Sequence, residues 1–197
     1  MQATMEDCTA LTTKNTIMLN WLRNLFGGKP EEPADINVNQ TVHDLKRGYI
    51  LDYDMESWEV VGSYTYRYKT HVAKEYKIRS GSKTLFLNVS DANSLLLSLS
   101  GETNINEVDA RLRTSIASEQ PIVRFDWKGE TYTLKETSRG QFTDNRLQDW
   151  ADFVGYEYVD KDNARFVYIS KWEDGSIECY TGKYLKEFEI SNILPGK

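Results

Sequence analysis

Two histidines, His43 and His71, and two cysteines, Cys8 and Cys179, are all the imidazole and thiol that this 197-residue chain offers to a transition metal. Such sites need several ligands gathered at hairpin or helix spacing. Each histidine stands alone in its segment, so both read as surface or turn residues. Asp160-Lys161-Asp162-Asn163 has the opening of a calcium loop but lacks its sharp-turn glycine and closing glutamate, and reads as a polar hairpin turn. Gly81-Ser82 lacks both the G-x-S-x-G elbow and a histidine partner, which leaves it a turn. Cys179 alternates with Ile177 and has no basic activator beside it, the pattern of a buried structural thiol. Gly27-Gly28-Lys29 follows an apolar helical pattern instead of opening one, the reverse of a phosphate loop. Asp52 and Asp54 could divide acid and base work if their environments differed, but two acids in a turn-like segment are better read as solvated turn chemistry. The expectation is no catalytic residue, no metal ligand and no cofactor, which points away from an enzyme.

Residues 67–83 form a locally basic stretch, with Arg67, Lys69, Lys74, Lys77, Arg79 and Lys83 against Glu75, interleaved with tyrosines. Cations and aromatics together invite a nucleic-acid reading. Strand alternation, however, sets Tyr64, Tyr66 and Tyr68 on the face opposite Arg67, and Tyr76 opposite Lys77 and Arg79. Rings and cations could not then serve one strand of nucleic acid. The whole chain carries 24 Lys+Arg against 30 Asp+Glu, a formal charge of −6, which also argues against polyanion binding as its main business.

The elements that must position these residues change period along the chain. Residues 1–17 are polar and unpatterned, and read as a disordered tail; Met18 is an alternative start to Met1. Within residues 18–28, Met18, Leu19, Trp21, Leu22, Leu25 and Phe26 share one helical face, and Gly27, Gly28 and Pro30 stop the helix. Residues 29–41 are acidic and Pro-bearing, as linkers are. From Gly48 the period is two. Trp58, Val60, Tyr64, Tyr66 and Tyr68 fall on one face of a strand, Tyr76 and Ile78 alternate in a second, Ser80-Gly81-Ser82 turns, and residues 85–89 and 95–99 supply two more. This is a first β-unit over residues 42–100. Residues 101–120 connect, with helical spacing through Val108, Leu112 and Ile116 ended by Pro121.

Residues 121–197 make a second β-unit of five short strands, with Lys128-Gly129 and Asp174-Gly175 at tight turns, and residues 146–153 carry a second helical spacing through Leu147 and Trp150. The openings of the two units look alike, Ile50-Leu-Asp-Tyr before Trp58-Glu-Val60 and Val123-Arg-Phe-Asp before Tyr132-Thr-Leu134. An internal repeat is expected. The fold class is therefore mainly β, α+β at most: two similar antiparallel β-units packed together, with a short N-terminal amphipathic helix.

Gly48, Trp58-x-Val60 with Gly62, Glu75-Tyr76, Trp172-x-x-Gly175 and Glu178-x-Tyr180-x-Gly182 resemble a bacterial family known as domain of unknown function 4178, over residues 45–194. The resemblance implies a mainly β cytoplasmic bacterial protein without an established catalytic activity, and offers no catalytic residues to carry over. It also implies a setting beside envelope-stress genes, small membrane proteins and genes resembling those of polyamine synthesis.

With a mean hydropathy of −0.59 and no apolar run approaching roughly 20 residues, no transmembrane segment is expected. Glu6 and Asp7 stand where a signal peptide would be basic, and the sparse cysteines fit a reducing compartment. These readings lead to a cytoplasmic adaptor, peripheral to the inner membrane, that meets a protein partner or makes weak contact with a membrane surface through Leu19, Trp21, Leu22, Leu25 and Phe26. The alternative is a binder of a small ligand, such as a cationic metabolite, or an unrecognised enzyme, using a cleft between the β-units. An adaptor should show an exposed apolar patch and no deep polar pocket, whereas a ligand binder should show carboxylates converging in a cavity.

Overall fold

The period-two segments pair into one continuous antiparallel sheet. The computed structural model describes residues 40–147 and 149–196. The expected tail, amphipathic helix and nearly all of the linker lie outside the described residues. From residue 50 the chain runs β1 (Ile50–Tyr53), β2 (Glu56–Tyr68), β3 (Val72–Ser80), β4 (Lys83–Ser90), β5 (Leu96–Glu102), helices α1 (Ile105–Val108) and α2 (Ala110–Ala117), β6 (Arg124–Trp127), β7 (Glu130–Asp144), β8 (Ala151–Val159), β9 (Arg165–Trp172), β10 (Ile177–Leu185) and β11 (Ile190–Leu194). Single 3-10 turns lie at Val42–Asp44 and Glu187–Glu189.

Eight strands, in the order β2-β3-β4-β5-β10-β9-β8-β7, close into a barrel because β7 pairs back onto β2. Two strands are long enough to take part in three ladders. The first half of β2 holds β1, and its second half crosses to β7 at Tyr64↔Asp144 through Tyr68↔Gly140. β7 likewise holds β6 with its first half. Closure satisfies the backbone groups of the barrel strands, leaving β11 and β6 as the outer edges.

The two β-units are similar down to the register. Leu51 faces Trp58 across the first hairpin, and Phe125 faces Tyr132 across the corresponding one. The Ser57 hydroxyl donates to Asp52 at 2.6 Å, and the Thr131 hydroxyl to Asp126 at 2.6 Å. Both hairpins turn through two residues of positive φ, Asp54 and Met55 in one and Lys128 and Gly129 in the other, the type I′ geometry that suits strand twist. The mainly β, antiparallel architecture is thus the observed one, closed into a single eight-stranded barrel.

One alternation expected from the sequence is corrected. Trp58 and Val60 do not share a face with Tyr64, Tyr66 and Tyr68, because the register slips between Val60 and Gly62. A bulge adds one residue to one strand and reverses every side chain beyond it. β7 slips in the same place, between Leu134 and Glu136. Trp58 and Val60, like Tyr132 and Leu134, therefore face outward, whereas residues an even number of positions further on, Tyr66 and Tyr68 in β2 and Ser138 and Gly140 in β7, face into the barrel.

The apolar cores lie on the outer faces. Leu51, Trp58, Val60, Tyr76, Ile78, Leu87 and Leu99 form one, covered by Val42, Leu45, Ile190 and Ile193. Phe125, Tyr132, Tyr156, Tyr158, Val167, Ile169 and Cys179 form the other, covered by Ile105, Val108, Leu112 and Ile116. Those four align on one face of the α1–α2 segment, where the sequence spacing puts a helix, and Asp109 caps α2 by accepting from the Arg111 amide at 2.8 Å.

The second helical spacing, at residues 146–153, is also corrected. Asp144 accepts from the Arg146 amide at 3.0 Å and turns the chain, and the ladder takes residues from Ala151 into β8. Leu147 is left exposed and Trp150 stands beneath the Arg67 guanidinium at 3.9 Å. Eight or so residues form a marginal helix, and long-range pairing outcompetes it.

Candidate functional site

Since the outer faces hold the apolar residues, alternation turns the polar ones inward. A cavity of about 110 Å³ lies among side chains of β2, β3, β4, β5, β8, β9 and β10, seven of the barrel strands. Tyr66, Tyr68, Tyr168, Tyr180 and Tyr184 line it with Glu75, Glu157, Asn88 and three serines, Leu96 and Phe166 complete the lining, and no lysine, arginine or histidine takes part.

Glu75 sits within the barrel wall with the Tyr66 hydroxyl donating to its Oε1 at 3.2 Å. Burial pushes its carboxyl up to about 7, reinforced by the charge of Glu178 and opposed by hydrogen bonds from Tyr66 and Asn88. Glu157 is placed differently. It takes a short hydrogen bond from Tyr184, and its Oε2 lies 3.1 Å from the Lys135 ammonium, which the bulge of β7 brings over the barrel wall. Tyr180 donates to Glu178 at 3.1 Å. The Tyr168 hydroxyl is buried beside Tyr68 and Ser138 and closes a good hydrogen bond to neither. It occupies the space that Gly155 leaves: a Cβ there would overlap the hydroxyl oxygen. Burial holds the phenols of Tyr66, Tyr68, Tyr168, Tyr180 and Tyr184 above their ordinary range, so all remain protonated donors at neutral pH.

Aromatic rings continue the wall toward the β2–β7 seam. Tyr66 meets Phe142 and Phe153 at 5.1 and 5.5 Å, and both phenylalanines meet Trp172 at 5.2 and 5.6 Å. Outside this seam is a wider cleft of about 670 Å³ bordered by Arg67, Lys69, Arg139, Lys171, Glu119 and Asp152. Its cations are partly committed: Arg139 and Lys171 both reach Glu119, at 3.3 and 2.9 Å. Tyr68 borders the cleft and the interior cavity alike, and is the side chain standing between them.

The residues singled out from the sequence fall elsewhere. Leu19, Trp21, Leu22, Leu25 and Phe26 lie outside the described residues. His43 is exposed, 3.4 Å from Asp91, and His71 stacks on Tyr68 at 4.7 Å. Asp52 serves its hairpin, accepting from Ser57 and Asn192, while Asp160–Asn163 turns β8 into β9 and Gly81 turns β3 into β4. Cys179 is buried, its thiol pushed up to about 12 by burial. Among the described residues no group of three or more His, Cys, Asp or Glu could hold a metal, and no helix is long and apolar enough to cross a membrane.

Sequence reasoning missed the inward set, Tyr66, Tyr68, Glu75, Glu157, Tyr168, Tyr180 and Tyr184, by treating the tyrosines of β2 as core partners of Trp58. The available signal was Gly62, since a glycine interrupting a strand pattern marks a bulge. Among the residues that carry the family resemblance, Glu75, Trp172, Glu178, Tyr180 and Gly182 lie on the inward face of their strands, while Trp58, Val60 and Tyr76 lie in the outer core.

A protein of Aquifex aeolicus (strain VF5), described as an uncharacterized protein, is 26% identical over 183 residues, covering 90% of this chain and 98% of that one. No solved structure matches the chain. Residues 46–187 match the family described as Domain of unknown function (DUF4178). This is most of the chain, including the whole closed barrel up to the end of β10, and the protein belongs to the DUF4178 family.

Proposed function

We infer that the protein is a non-catalytic binding module whose barrel interior takes a small polar ligand. The observation that carries this reading is the polar, carboxylate-bearing cavity in a place where small barrels ordinarily pack apolar side chains. Buried polar groups cost stability unless their hydrogen bonds are made, and a ligand that completes them offsets that cost.

The comparison of the two units supports the same reading. Matched outward positions keep apolar for apolar: Leu51 with Phe125, Trp58 with Tyr132, Ile78 with Tyr158, Leu87 with Ile169, Leu99 with Cys179. Matched inward positions differ: Tyr66 with Gly140, Glu75 with Gly155, Ser100 with Tyr180. An internal repeat whose outer faces serve folding and whose lining has been specialised into one shared site accounts for both patterns.

The test is a titration of the isotopically labelled full chain with a panel of small amines, alcohols and carboxylic acids. At least one is expected to shift the ring resonances of Tyr66, Tyr168 and Tyr180, and Ser98→Leu, which fills the cavity, should abolish the shift while the melting temperature holds. A panel that moves none of these rings, or a shift that survives Ser98→Leu, would sink the reading.

The helical spacing of residues 18–26 favours a second, compatible reading, in which the protein is a cytoplasmic adaptor peripheral to the inner membrane that docks to a membrane-associated partner through Leu19, Trp21, Leu22, Leu25 and Phe26. Trp21→Glu combined with Phe26→Glu is then expected to reduce flotation with native membranes severalfold and to leave the melting temperature unchanged. Unchanged flotation with a collapsed melting temperature would instead make this segment part of the core.

A further inference from the structure

We propose that Glu75 anchors a protonated amine, an ammonium or methylated ammonium group, inside the barrel. The proposal rests on the ligand-binding reading and names the class of ligand. Its first ground is charge. The groups facing Glu75 are Tyr66 from β2, Asn88 from β4, Tyr168 from β9, and Glu178 and Tyr180 from β10, with Glu157 of β8 on the same cavity. None is cationic. Among the described residues Glu75 has no ion-pair partner, whereas Glu157 already has Lys135 at 3.1 Å. An anionic ligand would meet two carboxylates and no positive side chain on the lining, so anions are disfavoured and a cation supplies the missing charge.

The second ground is the lining. Tyrosine rings present negative faces to a cation, and aromatic cages with a nearby carboxylate suit alkylated ammonium groups better than compact, strongly hydrated metal ions. An ammonium also brings several N–H donors. Acceptors for them are present: the Glu75 carboxylate, and the buried Tyr168 hydroxyl oxygen, which has no partner in the protein. The third ground is size. At about 110 Å³, against roughly 30 Å³ per water in the liquid, the cavity has room for a head group and not for a whole nucleotide or sugar. Hence the recognised feature is the amine itself.

Because the amine needs the ionised carboxylate, binding expels the proton that Glu75 holds near neutrality. Apparent affinity should rise about tenfold between roughly pH 6 and 8, while the amine stays protonated. The experiment uses the full chain and three probes at matched ionic strength, ethylammonium chloride, ethanol and potassium chloride, followed by the Tyr66, Tyr168 and Tyr180 ring resonances at both pH values.

Ethylammonium alone is expected to shift the rings, more tightly at the higher pH, and Glu75→Gln should weaken it at least tenfold. Ser98→Leu serves as a second variant should Glu75→Gln not fold. Equal shifts from ethanol, unaffected by Glu75→Gln, would overturn the amine class and leave the ligand-binding reading standing. Equal shifts from potassium chloride would make the site an alkali-cation site and overturn it as well. Silence toward ethylammonium, with an alcohol or acid of the wider panel binding, refutes this proposal alone; silence toward every probe refutes both.

Discussion

Trp58→Ala is expected to lower the unfolding free energy by about 3–5 kcal/mol, the usual cost of emptying a large aromatic site in a packed core. Trp58 is 3% exposed, packs in the outer core with Leu51, Val60 and Ile78, and donates its indole N–H to the Tyr53 carbonyl at 3.3 Å. Tyr132→Ala at the matched position of the second unit should cost a similar amount, because Tyr132 is equally buried and stacks on Phe125 at 5.7 Å. The two sites lie in separate apolar clusters, so the double variant should lose close to the sum of the two. Urea unfolding checks all three. A loss under about 1 kcal/mol at either site would mean that the outer clusters are not what holds the barrel strands in place.

Glu75→Gln is expected to stabilise the protein above neutrality and not below about pH 4. The carboxyl's ordinary value is 4.5 and its value in the fold is about 7, so between these the folded chain holds a proton that the unfolded chain has released. Stability from this group therefore falls as pH rises through that interval and levels off above it. The full interval corresponds to an upper limit of about 3 kcal/mol, which local relaxation around the carboxylate reduces. Glutamine keeps an oxygen to accept from Tyr66 and never ionises. The carboxylates held low by hydrogen bonds, Asp44, Asp52, Asp109 and Asp144, contribute pH dependence of the opposite sign, and they cancel in the difference between the two proteins. Unfolding curves at three pH values from 4 to 8 check this, and a difference that stays flat across them would mean that Glu75 is hydrated and titrates normally.

The sequence by itself determined the local features. Alternation across β3, β4 and β9, turn residues such as Lys128-Gly129 and Gly175, and the spacing of Val108, Leu112 and Ile116 depend on steric and hydrophobic rules that act within a few residues. The two matching hairpins were legible for the same reason, since Leu51 with Trp58 and Phe125 with Tyr132 are set by two-residue turns.

What only the tertiary structure decided is which face of each strand became the inside. A single extra residue at each bulge, beside Gly62 in β2 and before Glu136 in β7, reverses the alternation, and nothing in the apolar pattern records it. Closure depends on β2 meeting β7 and β5 meeting β10 across more than a third of the chain, pairings that gain free energy only once all the strands are in register. The pull of that ladder drew residues 151–153 out of a helical spacing and into β8. It also gathered Glu75 and the tyrosines, scattered in sequence among ordinary-looking strand residues, around one cavity whose polarity follows from the apolar faces having been used outside.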